Sequence, residues 1–469
     1  MKPVPFLLRR LRESGAANPD RIQALTRDGI LTLADLELAL AEGRPSAADA
    51  LLRVAAVELA DERAVMNLAA AWDVFDNLES QLRTHVPELE TFEVSGDTRR
   101  YVALPRHFIG VGRAPDPAIA AAAIARSPLF SDVLHRTERR LIVVYEGLEI
   151  DLRIASRDDF GMLLFTTTGP AQHVAFVHRR RGPRLGATES EVYTQAALAY
   201  VPPEVREWPD ALDAFTVPPL VTRHDIRGDL HMHTTYSDGR DTLREMVAAC
   251  CALGYEYIAI TDHSEHAAAS RTLNADSIER QRDEIAQLRE QFPQIAILHG
   301  IEADILEDGR IDCPDATLES LDIVLASLHE RGRQDERQLT SRCLEAIRHP
   351  LVTLITHPQN QIVGRRNGYN MDFAAIYEAA AETGTVLEID GAPAHLDLDG
   401  PHARAAVTSG VTVAVDSDCH RATWLGRQMQ LGIGTARRGW IEPNHVLNTR
   451  SLGEIRAFIS RKRACLPPV

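Results

Sequence analysis

The sequence predicts an α/β protein whose C-terminal part is a barrel of parallel strands and crossover helices. From residue 227 onward, short apolar runs typical of strands alternate with stretches of helical periodicity. Residues of metal-binding type follow at least six of these runs. Side chains at the C-terminal ends of strands converge in a closed or nearly closed barrel, but not in an open twisted sheet. A helical segment and a small α+β domain are predicted to precede this barrel.

Residues 1–88 are predicted to be helical. The segment TLADLELALAEG has the apolar periodicity of a helix, with Thr32 placed to cap its start and Gly43 to end it. Residues 89–205 show a mixed pattern, in which RRLIVVYEGLEIDLRIA predicts two strands joined by a turn. Proline-rich sequence then indicates an extended linker at 206–226, and the barrel is expected to occupy 227–469.

Composition is that of a globular protein with more than one domain. The 469 residues are 45% hydrophobic and 25% charged, and the formal net charge of −16 disfavours strong non-specific binding to nucleic acid. No apolar run approaches the ~20 residues that span a bilayer, and the N-terminus lacks a signal-peptide pattern. We therefore expect a cytoplasmic protein with no membrane partner and with reduced cysteines.

Residues that bind metals recur at the ends of the predicted strands. In DLHMHTTYSDG, His231 and His233 occupy positions i and i+2, which share one face of a strand and can reach one ion. Asp238 follows in the turn. Later apolar runs end in the same way and supply Asp262, His263, Glu302, His329, His357, Asp418 and His420.

Together these positions predict a multinuclear metal site. Any one histidine could be a hydrogen-bonded residue at the start of a loop. Six histidines and three acids at corresponding places, setting Asp262 aside, are hard to obtain without a shared site. Imidazole and carboxylate suit Zn, Mn or Fe, and nine such groups exceed the four ligands of one tetrahedral ion. Two or three divalent ions are therefore expected.

The motifs resemble the PHP (polymerase and histidinol phosphatase) family, and the chain as a whole resembles family X DNA polymerases with a C-terminal PHP domain. The motifs DIRGDLHMHTTYSDG, AITDHS, GIEADI, ASLH, THP, LEID and DSDCH occur in the family's order. This resemblance implies a distorted (β/α)7 barrel that holds three ions. It assigns His231, His233, Glu302 and Asp418 to a first ion, Glu302, His329 and His357 to a second, and Asp238, His263 and His420 to a third.

The resemblance also implies phosphate-ester hydrolysis, because adjacent cations activate a bridging water and neutralise charge on phosphoryl oxygens. Asp262 and His266 are candidate catalytic residues for proton transfer, and the alternative for Asp262 is to orient a ligand through a hydrogen bond. Arg365 and Arg366 are candidates for binding substrate phosphate, and solvent-exposed charge is the alternative for both.

Two segments depart from the family pattern. Relatives usually read HPTGR where this chain has HPQNQ, starting at His357. They read EINANPxRLDL where this chain has EIDGAPAHLDL, with His395 in place of arginine. Two expected cationic contacts are therefore missing, which leaves the substrate preference open.

The N-terminal half resembles a nucleotidyltransferase domain that has lost its metal ligands. Family X polymerases hold two Mg ions with a DxD pair and a third aspartate on a later strand. Aligning Arg99 and Arg100 with the family's paired arginines places His107 and Ile109 at the DxD positions and Asp151 at the third. Since isoleucine cannot ligate magnesium, we predict that polymerase activity is lost. The helix-hairpin-helix segments that bind DNA are also degenerate.

The sequence therefore predicts a metal-dependent phosphoesterase that acts on DNA 3′ ends as a 3′→5′ exonuclease or a 3′-phosphatase. Two alternatives remain open. One is a small-metabolite phosphatase of histidinol-phosphatase type, and the other is a non-catalytic DNA-binding scaffold. The expected partner is DNA or another phosphate ester, and the oligomeric state is not predicted.

Overall fold

The computed structural model divides into two compact units, Met1–Val217 and Pro218–Val469. It describes residues 4–63, 65–182, 185–209, 217–267, 269–330 and 332–464. The boundary lies inside the predicted linker, of which residues 210–216 fall outside the described ranges. Arg206, at the start of that linker, is fully buried, and its guanidinium lies 2.7 Å from the carboxylate of Glu189. The first unit therefore extends into the predicted linker at 206–226.

Five helices open the first unit, and the third shows how the sequence sets their ends. Thr32 and Asp35 form a capping box at its start, and Gly43 ends it with a left-handed φ of 70°. Both predicted helix ends are confirmed. The helices are α1 (Phe6–Glu13), α2 (Pro19–Arg27), α3 (Leu33–Glu42), α4 (Ala50–Arg63) and α5 (Leu68–His85).

A five-stranded mixed sheet completes the first unit, in the order β1-β2-β5-β4-β3. Its elements are β1 (Thr91–Val94), α6 (Gly96–Arg99), β2 (Ile109–Arg113), α7 (Pro117–Arg126), β3 (Asp132–Arg136), β4 (Arg140–Tyr145), β5 (Leu148–Ala155), α8 (Phe160–Thr168), α9 (Ala171–Arg181) and α10 (Glu189–Gln195). The predicted hairpin is confirmed, because β4 and β5 are joined by Glu146 and Gly147, both at positive φ. Strands β2 and β5 run parallel, with Ile109 opposite Asp151.

The second unit is a barrel of seven parallel strands in sequence order. The elements are β6 (Gly228–Asp229), α11 (Leu243–Ala252), β7 (Tyr257–Ile260), α12 (Ala275–Gln291), β8 (Ala296–Asp304), α13 (Asp315–Glu319), β9 (Ile323–Ser327), α14 (Glu336–Arg348), β10 (Leu354–Ile355), α15 (Phe373–Thr383), β11 (Val386–Asp390), α16 (Gly400–Thr408), β12 (Val413–Asp416), α17 (Leu425–Arg438) and α18 (Leu452–Arg463). The two edges meet where Met232 bridges Cys419 in parallel. The predicted barrel is confirmed, and it is nearly closed.

Alternate residues of the barrel strands belong to two different apolar clusters. Ile258 and Ile260 of β7 pack in the large cluster that includes the surrounding helices. Tyr257 and Ala259 pack in a second cluster that includes Ile455 of α18. Helix α18 lies at the N-terminal ends of the strands, where Arg463 donates a hydrogen bond to the Leu321 carbonyl before β9 and Lys462 donates one to the Thr385 hydroxyl before β11. The C-terminal ends of the strands are left for polar residues.

Within the described ranges, no helix is both long enough and apolar enough to cross a membrane. The five cysteines that the structure describes are free thiols. Cys419, which lies between two predicted ligands, is buried in the apolar cluster around the barrel, as alternation along a strand predicts.

Candidate metal centre

The C-terminal ends of the barrel strands bring all nine predicted metal ligands together. The side chains surround a cleft of about 630 Å³. His231 and His233 are fully buried beneath it. The other predicted ligands line the cleft: Asp238, His263, Glu302, His329, His357, Asp418 and His420.

Four side chains form the first set. His233 Nε2 lies 3.0 Å from both His231 Nε2 and Asp418 Oδ1. Glu302 Oε2 lies 3.5 Å from His231 Nε2 and 3.6 Å from His233 Nε2. The ligands of a tetrahedral ion with bonds of about 2.1 Å are about 3.4 Å apart. The atoms of His231, His233 and Glu302 have the spacing of ligands around one ion, and Asp418 Oδ1 also lies 3.5 Å from His231 Nε2.

Glu302 also forms the second set. Its Oε1 lies 3.5 Å from His329 Nε2 and 3.2 Å from His357 Nε2, while its Oε2 belongs to the first set. The carboxylate is fully buried and accepts a 2.9 Å hydrogen bond from Thr356 on Oε1. One carboxylate therefore lies between two sets of imidazoles, with one oxygen directed to each.

The third set lies at the rim of the cleft. Asp238 Oδ1 is 3.4 Å from His263 Nε2 and 3.2 Å from His420 Nε2. The side chains of Asp238 and His420 are 29% and 28% exposed, whereas those of the first set are 9% exposed or less. Solvent and substrate can therefore reach the third set most directly.

Buried polar atoms in the centre suit a divalent cation. Glu302 Oε2 and His263 Nδ1 are 2.9 Å apart, yet neither makes a hydrogen bond with the other or with another described atom. Burial opposes ionisation of Glu302, but the surrounding histidines, His231 foremost, hold its pKa well below the usual range. Burial, with His420 and His263, lowers the pKa of His233 to about 4, so its ring is neutral and able to bind metal. These donors fit Zn, Mn or Fe.

Two carboxylates that sequence reasoning missed orient the histidines. Glu388 Oε1 lies 2.7 Å from His231 Nδ1, and Asp304 Oδ1 lies 2.5 Å from His329 Nδ1. Metal-binding histidines commonly donate their second ring N–H to such a partner. Asp304 could have been found, because it is two residues after Glu302 and shares its strand face.

Asp262 does not reach the cleft. It is fully buried, and its carboxylate accepts hydrogen bonds from the Thr234 and Ser237 amides at 2.8 and 3.1 Å and from Gln281 Nε2 at 2.7 Å. These contacts fix the turn that carries Asp238. With both oxygens engaged in this way, its geometry favours the alternative role of orienting neighbouring residues over proton transfer.

His266 is also absent from the cleft lining among the described residues. Its side chain is 70% exposed, and its Nδ1 lies 2.5 Å from Asp312 Oδ1. The Asp312 carboxylate also accepts a hydrogen bond from the His266 amide. This local pairing directs the ring to Asp312, so the predicted catalytic role of His266 has no support from its position.

The two predicted phosphate-binding arginines differ. Arg366 lines the cleft, donates hydrogen bonds to the carbonyl and side-chain oxygens of Asn360 at 2.9 and 2.6 Å, and lies over the ring of Tyr369. Arg365 is exposed and does not line the cleft. The structure therefore offers one of the pair, Arg366, as an anchored cation beside the metal centre. His395 lines the same cleft.

In the first unit, two arginines bind Asp151, the remaining polymerase-type aspartate. Asp151 is buried and accepts hydrogen bonds of 2.8 to 3.0 Å from Arg140 and Arg153. The same two guanidinium groups pair with Asp35 at 2.6 and 2.7 Å. Asp151 is thus neutralised by the protein's own cations, and its strand neighbour Ile109 contributes no ligand atom.

His107 adds a further positive charge to this region. Its Nδ1 lies 3.0 Å from Asp97 Oδ1 and its Nε2 lies 3.2 Å from Glu37 Oε2. Burial opposes protonation, but these two acids raise the pKa of His107 to about 10. The side chain is therefore a cation at neutral pH, where the resembled polymerases have an aspartate.

The chain is similar to known proteins both in its sequence and in part of its fold. The profile of the PHP domain matches residues 229–384. The chain is 34% identical over 368 residues to "DNA polymerase/3'-5' exonuclease PolX" of Bacillus subtilis (strain 168), an alignment that covers 74% of this chain and 64% of that protein. The chain thus matches less than two thirds of the length of this relative.

Two further matches each cover about half of the chain. A "Probable phosphatase" of Thermoanaerobacter sp. (strain X514) is 29% identical over 246 residues, which are 50% of this chain and 95% of that protein. The crystal structure of histidinol phosphate phosphatase from Lactococcus lactis, complexed with zinc, L-histidinol and phosphate, superposes with a TM-score of 0.37 and 20% identity. That superposition covers 46% of this chain and 94% of the other.

The barrel and its converging acids and histidines resemble those of metal-dependent phosphoesterases, which are hydrolases of phosphate esters. More particularly, residues 229–384 of the second unit match the PHP domain, and the chain resembles bacterial family X DNA polymerases that carry this domain at their C-terminus.

Proposed function

We propose that this protein hydrolyses phosphate esters at the 3′ ends of DNA, as a 3′→5′ exonuclease or a 3′-phosphatase. The observation that carries the proposal is the meeting of nine ligand-type side chains at one cleft, with Glu302 between two of the sets. The printed name of the Bacillus subtilis relative, which includes a 3′-5′ exonuclease, supports the choice of DNA.

The residues of the cleft would have different roles in hydrolysis. Divalent Mn, Zn or Fe ions, two or three in number, would lower the pKa of a bound water and neutralise charge on the phosphoryl oxygens. The nine ligands would hold these ions, and Glu388 and Asp304 would keep His231 and His329 in position. Arg366, fixed by Asn360, would bind a phosphate oxygen at the rim.

Exposure at the rim supports a large substrate. The side chains of Asp238, His420 and His329 are 22% to 29% exposed, while His231 and His233 are completely covered. A phosphate at the end of a polymer can reach the exposed side without the rest of the molecule entering the barrel. A strand terminus therefore suits this site.

We further propose that the first unit does not catalyse nucleotide addition. Ile109 has no ligand atom, His107 is a buried cation and Asp151 is held by two arginines. Bringing magnesium to this place would require displacement of several buried ion pairs, which costs several kcal/mol. Template-directed primer extension that disappears in an Asp151→Asn variant would contradict this proposal.

The main test uses an oligonucleotide labelled at its 5′ end, with Mn²⁺ present. The wild-type protein is expected to shorten the 3′ end or remove a 3′ phosphate, and a double Asp418→Ala, His420→Ala variant is expected to be inactive. A matched control is the double Asp315→Ala, His349→Ala variant, which removes another Asp–His pair of the same domain, 3.4 Å apart and outside the cleft. Equal activity in the wild type and in the Asp418→Ala, His420→Ala variant would contradict the metal mechanism.

A small-metabolite phosphatase is the second candidate. It is favoured by the match with a "Probable phosphatase" over 95% of that protein's length. The two candidates separate by the ratio of kcat/KM for a 3′-phosphorylated oligonucleotide and for a small phosphomonoester. A ratio in favour of the small ester would select the metabolite phosphatase. No hydrolysis of either ester by metal-loaded protein would leave the non-catalytic scaffold.

A further inference from the structure

A second cluster of ligand-type side chains lies beside the first set. Asp390 is the last residue of β11, His395 follows it in the next loop, and Asp418 follows β12. Each offers one ligand atom, and the three atoms lie within 4.8 Å of one another. His395 and Asp418 line the cleft, whereas Asp390 is fully buried. Of these three, only Asp418 was among the predicted ligands.

The carboxylate of Asp390 is only half satisfied. Its Oδ1 accepts a 2.5 Å hydrogen bond from the Ala392 amide, but its buried Oδ2 has no hydrogen-bond partner among the described residues. A buried polar group without a partner is destabilising unless another partner, such as a metal ion, satisfies it. The carboxylate of Asp390 lies close to the carboxylate of Asp418, so a cation bound between them would satisfy both.

His395 has the arrangement of a metal-binding histidine. Its Nδ1 lies 3.0 Å from the carbonyl oxygen of Gln361, so Nδ1 carries the proton and donates, and Nε2 retains its lone pair. The ring stacks on that of His357, with centroids 5.1 Å apart. His231 and His329 show the same outer hydrogen bond, there with carboxylates.

Asp390 and His395 both belong to the segment EIDGAPAHLDL. Asp390 contributes a carboxylate oxygen and His395 an imidazole nitrogen, which are both common metal-ligand atoms. The two side chains meet at one point beside Asp418.

We propose that Asp390, His395 and Asp418 form an additional metal-binding position of the PHP domain, which shares Asp418 with the first set. Three protein ligands leave a coordination position for water or a substrate oxygen, as in catalytic metal sites. The position faces the cleft through His395 and Asp418. The inference does not depend on which phosphate ester is the substrate.

Metal content tests the proposal directly. Protein loaded with Mn²⁺ and freed of excess metal is analysed by mass spectrometry for bound manganese. Asp390→Asn, which preserves side-chain shape, and His395→Arg, which removes the imidazole ligand, are each expected to lose about one equivalent relative to the wild type. Thermal unfolding verifies that both variants are folded. A His402→Gln variant is the control, because His402 is bonded to Tyr377 outside the cluster and should retain the full content.

A crystal grown with Mn²⁺ gives a second readout. Anomalous scattering is expected to show a peak within about 2.0–2.2 Å of His395 Nε2 and of an Asp390 oxygen, the range of such bonds. Equal metal content in the wild type and both variants, or occupied main sets with no peak at His395, would overturn the proposal. These measurements hold whether or not DNA is cleaved. If the additional ion is present but the protein hydrolyses no phosphate ester, the proposed function is contradicted and the additional metal position remains.

Discussion

The two units each contain a buried cluster of acids, but the acids have different partners. In the PHP domain, Glu302 faces the ring nitrogens of histidines, and one of its oxygens accepts no hydrogen bond. In the first unit, Asp151 and Asp35 are joined by two arginines that satisfy both carboxylates. Carboxylates alone therefore do not make a metal site. Their partners decide whether lone pairs remain for an external cation.

Guanidinium and imidazole act differently as partners. Arginine remains charged and has no lone pair to offer, so a carboxylate that is paired with arginine is not available to bind a metal. Imidazole can be neutral at physiological pH and then offers a lone pair of its own. In the PHP domain the acids and histidines approach shared points, where both could bind the same ion. In the first unit the same kind of acid has become part of an internal ion-pair network.

The largest expected effect is that of Glu302→Gln, which keeps the shape of the side chain but removes the charge between two ligand sets. Phosphoesterase activity is expected to fall about 10³-fold or more, since a loss of about 4 kcal/mol of charge stabilisation has that effect. Initial rates on a labelled oligonucleotide and on a phosphomonoester measure it. Glu290→Gln, on the exposed side of α12, is the control. Comparable rates for the two variants would refute the central place of Glu302.

The Arg140→Met variant tests the ion-pair network of the first unit. This change leaves Asp151 and Asp35 with one guanidinium between them, and loss of a buried partner costs about 3–5 kcal/mol. Hydrogen exchange of the β4–β5 hairpin should therefore accelerate. Arg139→Met is a matched control, because Arg139 is 51% exposed and exposed pairs contribute about 1 kcal/mol or less. Similar exchange in both variants would mean that the network does not hold this sheet.

The charge of His107 predicts a pH dependence of stability. Its folded pKa of about 10 lies above the ordinary value of 6.5, so its contribution is complete below pH 6.5 and is lost as pH rises towards 10. Relative to a His107→Gln variant, the wild type should lose roughly 3 kcal/mol of unfolding free energy between pH 7 and pH 10. Denaturant unfolding of both proteins across this range is the measurement. Parallel profiles would show that His107 is not an ion-pair cation.

The smallest expected effect is that of Asp304→Asn. The asparagine side chain would lack the charge that orients His329 through Nδ1, and loss of such a partner lowers metal affinity or activity about 10- to 100-fold. Competition with a chelator measures the affinity. Asp308→Asn removes an exposed acid from the turn after the same strand and is the control. If Asp304→Asn bound metal as tightly as the control, the orienting role would be disproved.

The ligand side chains could be predicted because strand geometry determines where they point. His231 and His233 share a face at a strand end, and parallel strands direct their ends to one place. The same rule helps with the two roles that the sequence leaves open for Asp262. Asp262 and His263 are adjacent, so alternation directs their side chains to opposite sides, and only His263 reaches the cleft. The contacts of Asp262 therefore favour the orienting role.

Loop residues and long-range partners could not be predicted in this way. His266, Arg365 and Arg366 lie in loops without periodicity, and only Arg366 reaches the cleft. The pairing of Asp151 with Arg140 follows from the β4–β5 register, but Asp35 comes from α3, more than 100 residues earlier. The sequence predicts that polymerase-type ligands are missing. It does not show that arginines fill the space.

The meeting of the first and last barrel strands has a consequence for how the metal centre forms. The barrel edges are joined through short contacts between segments 186 to 188 residues apart, and His233 and Asp418 approach each other across this junction. Closing so long a loop is entropically costly, so this junction belongs to the late, non-local part of folding. An ion bound across this junction would link the first and last strands of the barrel. Because such an ion binds the native state, it would stabilise the closed barrel.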